Sequence, residues 1–299
     1  MQNNPILEFL KVDKFFSQKQ ILNQISFSVF PGQIIALLGV NGAGKTTAIK
    51  MMLGQEIPTS GRVTLFGGNP KNYTSRFKVG ATPQNIEFPD GIKTKELLRF
   101  VHGHYKNPHP IQFMADTFEL NGFMEERGSK LSGGQKRRLA LALSFIGNPE
   151  IIFLDEPTTG LDVGARKILW EFIKNESKNG KTVFLTTHYL EEIEQVATRV
   201  IFLNKGEIIV DGTVDDIKKM ASTSLVKVSF EYTGENTLSD IQYAQKITRD
   251  ENKLILETSE PDNLIRELVQ KNIYFTKLSI EHENLESAFL NLSKPEVNS

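Results

Sequence analysis

IIALLGVNGAGKTTAI, residues 34–49, carries an apolar run into a glycine-rich turn and then into a helix-forming segment. Gly39, Gly44, Lys45 and Thr46 fit the pattern G-x-x-x-x-G-K-[ST]. The run IIALL before it and KTTAIKMML after it supply the strand and the helix that this pattern requires. Its glycines let successive backbone N–H groups converge on phosphate oxygens, and the helix N-terminus adds partial positive charge. Lys45 can reach β- and γ-phosphates, and Thr46 can ligate Mg²⁺. A phosphate loop alone leaves kinases, GTPases and many ATPases open.

Outward from this loop, short apolar runs alternate with longer helical patterns: IIALLG, IIFLD, TVFLTT and VIFLN. Apolar runs without period-2 alternation suit strands covered on both faces of a largely parallel sheet, so the class is α/β up to about residue 205. Between 88 and 148 the strand signal fades. KTKELLRFVHGHY, QFMADTFELNGF and GQKRRLALALSFIG read as helices, which predicts a helical insertion between two sheet strands. Beyond EIIVDGTVDDIKKMAS the pattern changes again. LVKVSFEYT and KITRDENKLILETS alternate like exposed strands, PDNLIRELVQKN reads as a helix with proline near its start, and IYFTKLSI as a further strand. The expected organisation is a domain over 1–220 and a small α+β domain over 221–299.

IIFLDEP, 151–157, drives four apolar residues into Asp155 and Glu156. A carboxylate buried there costs several kcal/mol unless a cation or strong donors offset it. Mg²⁺ held by Thr46 and, through water, by Asp155 supplies that offset. Alternation along a strand points Glu156 elsewhere, toward a γ-phosphate and an attacking water. A second glycine pair occurs in LSGGQKRRLALAL, 131–143. Ser132 and Gln135 fit S-x-x-Q, a capping box that opens a helix. That leaves Gly133 and Gly134 unexplained, since glycine in a helix costs up to about 1 kcal/mol relative to alanine. Lys136, Arg137 and Arg138 also sit at the unfavourable end of the helix dipole. A nearby polyanion would ease both problems.

Composition sets bounds. The 299 residues hold 35 Lys+Arg against 36 Asp+Glu with no long single-sign run, giving no electrostatic reason to expect nucleic acid or an acidic membrane as partner. No cysteine is present, which removes disulfides, thiolate metal sites and cysteine nucleophiles. MQNNPILEFLKVDKFF lacks a basic segment followed by a long apolar one, and no stretch approaches 18 apolar residues. The expectation is a soluble chain held at any membrane by something else.

GVNGAGKTT, ATPQN with Gln84, LSGGQ, IIFLDEP, GLD with Asp162 and TTH with His188 follow one another in that order, over a match of roughly residues 5 to 220. This succession resembles the nucleotide-binding subunits of ATP-binding cassette transporters. The resemblance implies a P-loop NTPase cassette, with a mixed, largely parallel sheet and an inserted helical subdomain. ATP and Mg²⁺ are then the ligands. It implies that Gly39, Asn41, Gly42, Ala43, Gly44, Lys45, Thr46 and Thr47 cradle the nucleotide. Gln84 touches the Mg²⁺ or attacking water and the membrane partner, while His188 contacts the γ-phosphate. Asp162 couples two sites across a dimer interface. Phe16 in VDKFFSQKQIL matches the position whose ring stacks on adenine, with Phe15 the competitor; in a strand one of the two should face the core. Ser132, Gly133, Gly134 and Gln135 then lie over the γ-phosphate held by the other subunit's Lys45. The implied assembly is a head-to-tail homodimer, or a heterodimer of cassettes, joined by ATP and released by hydrolysis. Its partner is a separate integral-membrane permease, docked at the helical insertion and the Gln84 loop on the cytoplasmic side of the cell membrane.

LSGGQKRRLALALSFIGNPEIIFLDEPTTGLDV and the tail LESAFLNLS, 285–293, are most similar to the drug- and antibiotic-resistance exporter branch. Val163 departs from it, standing where many relatives have proline. Two rival readings are a cassette ATPase acting on ribosomes or DNA and a nucleotide-sensing module without turnover. The first usually carries tandem cassettes or a long coiled-coil insertion, neither visible here; the intact Glu156 and His188 argue against the second. Three other features have plainer readings. HGHYKNPH, with His102, His104 and His109, reads as a solvated loop without an obvious carboxylate partner. Lys136–Arg138 reads as a solvated helix face. Trp170 in RKILWEFIK lies on an apolar stripe with Ile173 and reads as core.

Overall fold

A computed structural model describes residues 4–187, 189–221, 226–232, 241–250 and 253–281. The chain divides into two compact units, Met1–Val214 and Asp215–Ser299. In the first, β1 (Leu7–Phe16), β2 (Lys19–Val29), β3 (Ile34–Gly39), α1 (Lys45–Met52), β4 (Ser60–Leu65), α2 (Tyr73–Arg76) and β5 (Val79–Thr82) precede a helical stretch. That stretch holds α3 (Thr94–His102), α4 (Ile111–Thr117) and α5 (Gly133–Ile146). Next come β6 (Ile151–Asp155), α6 (Val163–Lys178), β7 (Thr182–Thr186), α7 (Leu190–Val196), β8 (Arg199–Asn204) and β9 (Glu207–Gly212). The helix α8 (Val214–Ala221) runs across the division.

Strands β5, β6, β7, β3, β8 and β9 lie side by side in that order; all neighbours are parallel except the antiparallel pair β8–β9. Every residue of β7, and all but the last of β3 and of β6, is buried, as continuous apolar runs require in a sheet covered on both faces. Asp155 is in register with Thr186 and Ala36 with Leu185. Gly39, Asp155 and Thr186 therefore leave the core at the same carboxyl edge, the usual place for a ligand crevice in such a sheet.

A second sheet, antiparallel with order β2-β1-β4, escapes the sequence reading. Three register shifts interrupt the β1–β2 pairing, so Leu7, Phe9 and Val12 face inward without a steady period of two. The rings of Phe9 and Phe27 stack at 4.6 Å, and Phe27 reaches Phe184 of the other sheet at 6.4 Å, so the two sheets share one core. A fully buried aromatic ring of this kind stabilises by about 1.5–3 kcal/mol relative to exposure. Asp13 is buried in β1, and its carboxylate accepts from Ser60 Oγ (2.7 Å), Gln24 N (3.0 Å), Gln24 Nε2 (2.9 Å) and Gln20 Nε2 (3.1 Å). The Ser60 and Gln24 hydrogen bonds hold it below the usual carboxylate range.

The helical stretch packs on α6 through rings: Phe172 meets Phe118 at 5.3 Å and Phe145 at 5.0 Å. Trp170 and Ile173 are buried, as their stripe implies.

The second unit contains β10 (Val226–Glu231), β11 (Lys246–Asp250), β12 (Lys253–Thr258), α9 (Pro261–Gln270) and β13 (Thr276–Glu281). Its sheet is antiparallel with order β11-β12-β10-β13. Leu264 and Leu268 of α9 share a core with Val228, Phe230, Leu254 and Leu256. Buried Glu267 fixes the approach to β11, accepting from Gln242 N (2.8 Å) and Tyr243 N (3.0 Å) while pairing with Lys271. The tail 285–293 lies outside the described residues.

Candidate functional site

The turn from β3 into α1 is built from glycines that its own surroundings demand. At Gly39 (φ 151°) an added Cβ would lie 2.3 Å from the Leu203 carbonyl oxygen; at Gly44 (φ 106°) it would lie 2.4 Å from Leu22 Cδ2. No side chain caps α1 and no acid occupies its first turn. Its leading N–H groups therefore remain for an external anion. Lys45 folds back over the loop, donating from Nζ to the carbonyls of Gly39 (2.6 Å) and Val40 (3.2 Å). Burial lowers its pKa, against the opposing pull of Glu156 and Asp155.

Facing the loop are the ends of β6 and β7. Thr186 Oγ1 donates to Asp155 Oδ1 at 2.6 Å and accepts from Glu156 N at 3.1 Å. Glu156 lies just beyond β6 at φ 53°. Its direction is therefore set by a left-handed turn and not by the strand alternation anticipated from the sequence, and both acids line one cleft. A cleft of 340 Å³ is lined by Asn41, Gly42, Gly44, Lys45, Thr46, Thr47, Gln84, Asp155, Glu156 and Thr186, with Lys19 and Ile21 of β2. The structure thus gathers most of the expected nucleotide-loop residues with both acids and Gln84. Gly39 supplies a carbonyl to Lys45, while Ala43 is buried beneath the loop.

Phe15 and Phe16 are both exposed, at 39% and 47%, so neither ring faces the core as expected. The register shift between Lys14 and Phe15 carries both outward at the strand end. Phe16 pairs in register with Lys19, one of the cleft residues, and its ring lies 4.7 Å from Lys14 Nζ. His188 lies outside the described residues; next to it, Tyr189 N donates to Thr187 Oγ1 at 3.0 Å.

Ser132 opens α5 through the capping box read from the sequence: Gln135 N donates to Ser132 Oγ at 3.3 Å, and Ser132 N donates to Gln135 Oε1 at 2.9 Å. Residues 132–135 do not line the cleft. A Cβ on Gly133 would meet nothing within 4 Å, and one on Gly134 would meet only the Gly160 carbonyl, at 3.0 Å. Asp162 caps α6, accepting from Ala165 N at 2.9 Å, and pairs with Arg138 at 2.6 Å. The Ala165 N–H and then Arg138 hold its carboxyl below the usual range. Val163 is the first residue of α6, a position that proline merely favours, so its departure from the family pattern leaves the turn intact.

One plainer reading fails and another holds only in part. Lys136–Arg138 is no solvated face: Arg137 is 5% exposed and donates to the carbonyls of Pro83 (3.1 Å) and Gln84 (2.9 Å), while Arg138 pairs with Glu119 as well as Asp162. A run of three cations following a helix cap reads as solvent-facing in any periodicity count, so nothing local in the sequence points to Arg137. Likewise HGHYKNPH is only partly a solvated loop. His102 ends α3, His104 Nδ1 lies 2.7 Å from the Phe100 carbonyl, and His109 is half-buried with Nε2 3.7 Å from the buried Glu176 carboxylate. That carboxylate lies 67 residues downstream in sequence, beyond local pattern reading.

The family model described as ABC transporter matches residues 22–159, and an AAA domain model matches residues 125–194. The chain is 39% identical over 216 residues to the Nod factor export ATP-binding protein I of Paraburkholderia xenovorans, covering 69% of this chain and 70% of that protein. It is 32% identical over 303 residues to the protein of the same name from Rhizobium etli, covering 97% of this chain and 94% of that one. Among solved structures, an ATP-binding subunit of an ABC transporter superposes with a TM-score of 0.68 at 26% identity, covering 72% of this chain and 92% of that one. With the phosphate loop, the acidic strand end and this likeness together, the chain belongs to the ABC transporter family as an ATP-binding, ATP-hydrolysing protein.

Proposed function

We propose that this chain is the ATPase subunit of an exporter, driving a separate membrane permease through ATP-dependent, head-to-tail pairing of two cassettes. In this reading ATP occupies the cleft, with its phosphates on the N–H groups of residues 39–47 and on Lys45. The exposed ring of Phe16 stacks on adenine. Thr46 and Asp155 present hard oxygens in one cleft, a donor set that suits Mg²⁺, which keeps several of its waters. When bound, Mg²⁺ neutralises charge on the β- and γ-phosphate oxygens. Glu156 accepts a proton from water as the water oxygen attacks the γ-phosphorus in line and the bond to ADP breaks; His188 and Gln84 hold that water. Ser132 and Gly134 of the partner subunit complete the charge stabilisation, and Asp162 links the two sites.

The observation that carries this reading is Gly133. It sits in the first turn of a capped helix, with open space around it and outside its own chain's cleft. No contact among the described residues calls for glycine there, whereas a partner's phosphate approaching the backbone does. The permease is expected at an apolar groove of 380 Å³ formed by Tyr73, Arg76, Phe77, Phe100, Val101, His104 and Tyr105, several of whose rings are exposed. No helix among the described residues is long and apolar enough to cross a membrane; in this reading the permease holds the chain at the cytoplasmic face. The export direction takes its support from the names of the relatives. Light scattering of Glu156→Gln tests the pairing: the mass should double with saturating ATP, and a persistent monomer would refute it.

A further inference from the structure

Among the described residues, the motifs leave one buried cation without a role. Arg137 lies on the second turn of α5, just past the segment 132–135, and is almost wholly enclosed. Its two terminal nitrogens reach the carbonyls of consecutive residues, Pro83 at 3.1 Å and Gln84 at 2.9 Å. Gln84 lines the cleft and residues 132–135 do not. One side chain therefore joins the helix presented to a partner with the loop that senses this chain's own ligand. We propose that Arg137 is a positioning residue, holding the Gln84 loop and the start of α5 as one body so that filling the cleft aligns Ser132–Gln135 for the other subunit. This rests on the pairing described above.

The chemistry favours arginine specifically. A planar guanidinium spans two neighbouring carbonyls in a fixed fork, while a lysine offers a single point charge on a flexible stem. Burial lowers the pKa of this guanidinium, and the field of Asp155 and then Glu156 offsets only part of that. Next along, Arg138 ties the same helix to Asp162, so consecutive arginines reach the loops that follow β5 and β6.

Because the chain has no cysteine, Asn85→Cys gives a unique attachment point for a nitroxide beside Gln84. In the full chain without nucleotide, Arg137→Met should sharpen the nitroxide spectrum to that of a freely moving loop, and Arg137→Lys should fall between. In steady-state hydrolysis Arg137→Met should lower kcat by about tenfold to a hundredfold, as misplacement of about 1 Å does. KM for ATP should stay within about threefold, because the phosphate loop is untouched. An unchanged spectrum with unchanged kcat in Arg137→Met would overturn the proposal. If that variant does not fold, Arg137→Lys decides: wild-type loop order and rate there would overturn it equally. The nitroxide comparison needs no ATP, so absence of hydrolysis in the parent would count against the proposed function and leave this contact to be judged by the spectrum.

Discussion

The two glycine turns of this chain obey different rules. At 39–44 the glycines answer to their own surroundings: positive φ angles at all three, atoms closer than any Cβ permits at Gly39 and Gly44, and a lysine folded over the loop. At 133 and 134 the backbone is ordinary helix behind a complete capping box, and a Cβ on Gly133 would meet none of the described residues within 4 Å. The first turn is glycine-rich because the fold requires it. The second holds a glycine that the fold, taken alone, does not require: Gly134 is pressed by the Gly160 carbonyl, but Gly133 is not.

That contrast can be broken at several strengths. The largest effect should come from the acid beside the first turn: Glu156→Gln should cut the hydrolysis rate by about 10²- to 10⁴-fold with ATP still bound, read by phosphate release. Lys45→Ala removes a charged donor to phosphate and should weaken ATP binding by roughly tenfold to a hundredfold in calorimetric titration. Unchanged affinity would detach the first turn from phosphate. Next come matched alanines. Gly39→Ala must push against the Leu203 carbonyl and should cost about 1–3 kcal/mol, a fall of several degrees in the unfolding midpoint. Gly133→Ala should leave that midpoint unchanged or raise it, by up to about 1 kcal/mol, while lowering hydrolysis. A Gly133→Ala chain that is destabilised like Gly39→Ala would erase the distinction. The smallest effect concerns Asp162. Its folded pKa lies below the unfolded value of about 3.9, so its contribution is present above that pH and is lost as pH falls through the folded value. Asp162→Asn keeps a capping oxygen, so the stability gap between wild type and variant should shrink below about pH 4 in acid titration.

Much of the cassette is legible in the sequence because its central strands are buried on both faces, which leaves unbroken runs such as IIFLD and TVFLTT. The phosphate loop, the two acids and the Ser132 capping box are legible for a similar reason, since each is a local pattern with a local cause. The antiparallel sheet is not: register shifts in β1 scramble the period, and the first three residues of β4 are exposed. The same shifts put Phe15 and Phe16 outside together. Arg137 and the His109–Glu176 approach escape because their partners are 53 and 67 residues away in sequence. A long-range hydrogen bond from a charge run leaves no local trace.

The central claim is that each copy completes a pocket begun by the other, and a mixing experiment tests it most directly. Lys45→Ala has a defective phosphate loop and an intact 132–135 segment. Gly133→Glu has the reverse, and an acid in the first turn of a helix is compatible with its fold. Each should be nearly inactive alone. Mixed in equal amounts, half of the pairs contain one copy of each and carry one intact composite site, so the mixture should recover about a quarter of wild-type hydrolysis. A mixture no more active than its two parts would contradict the account.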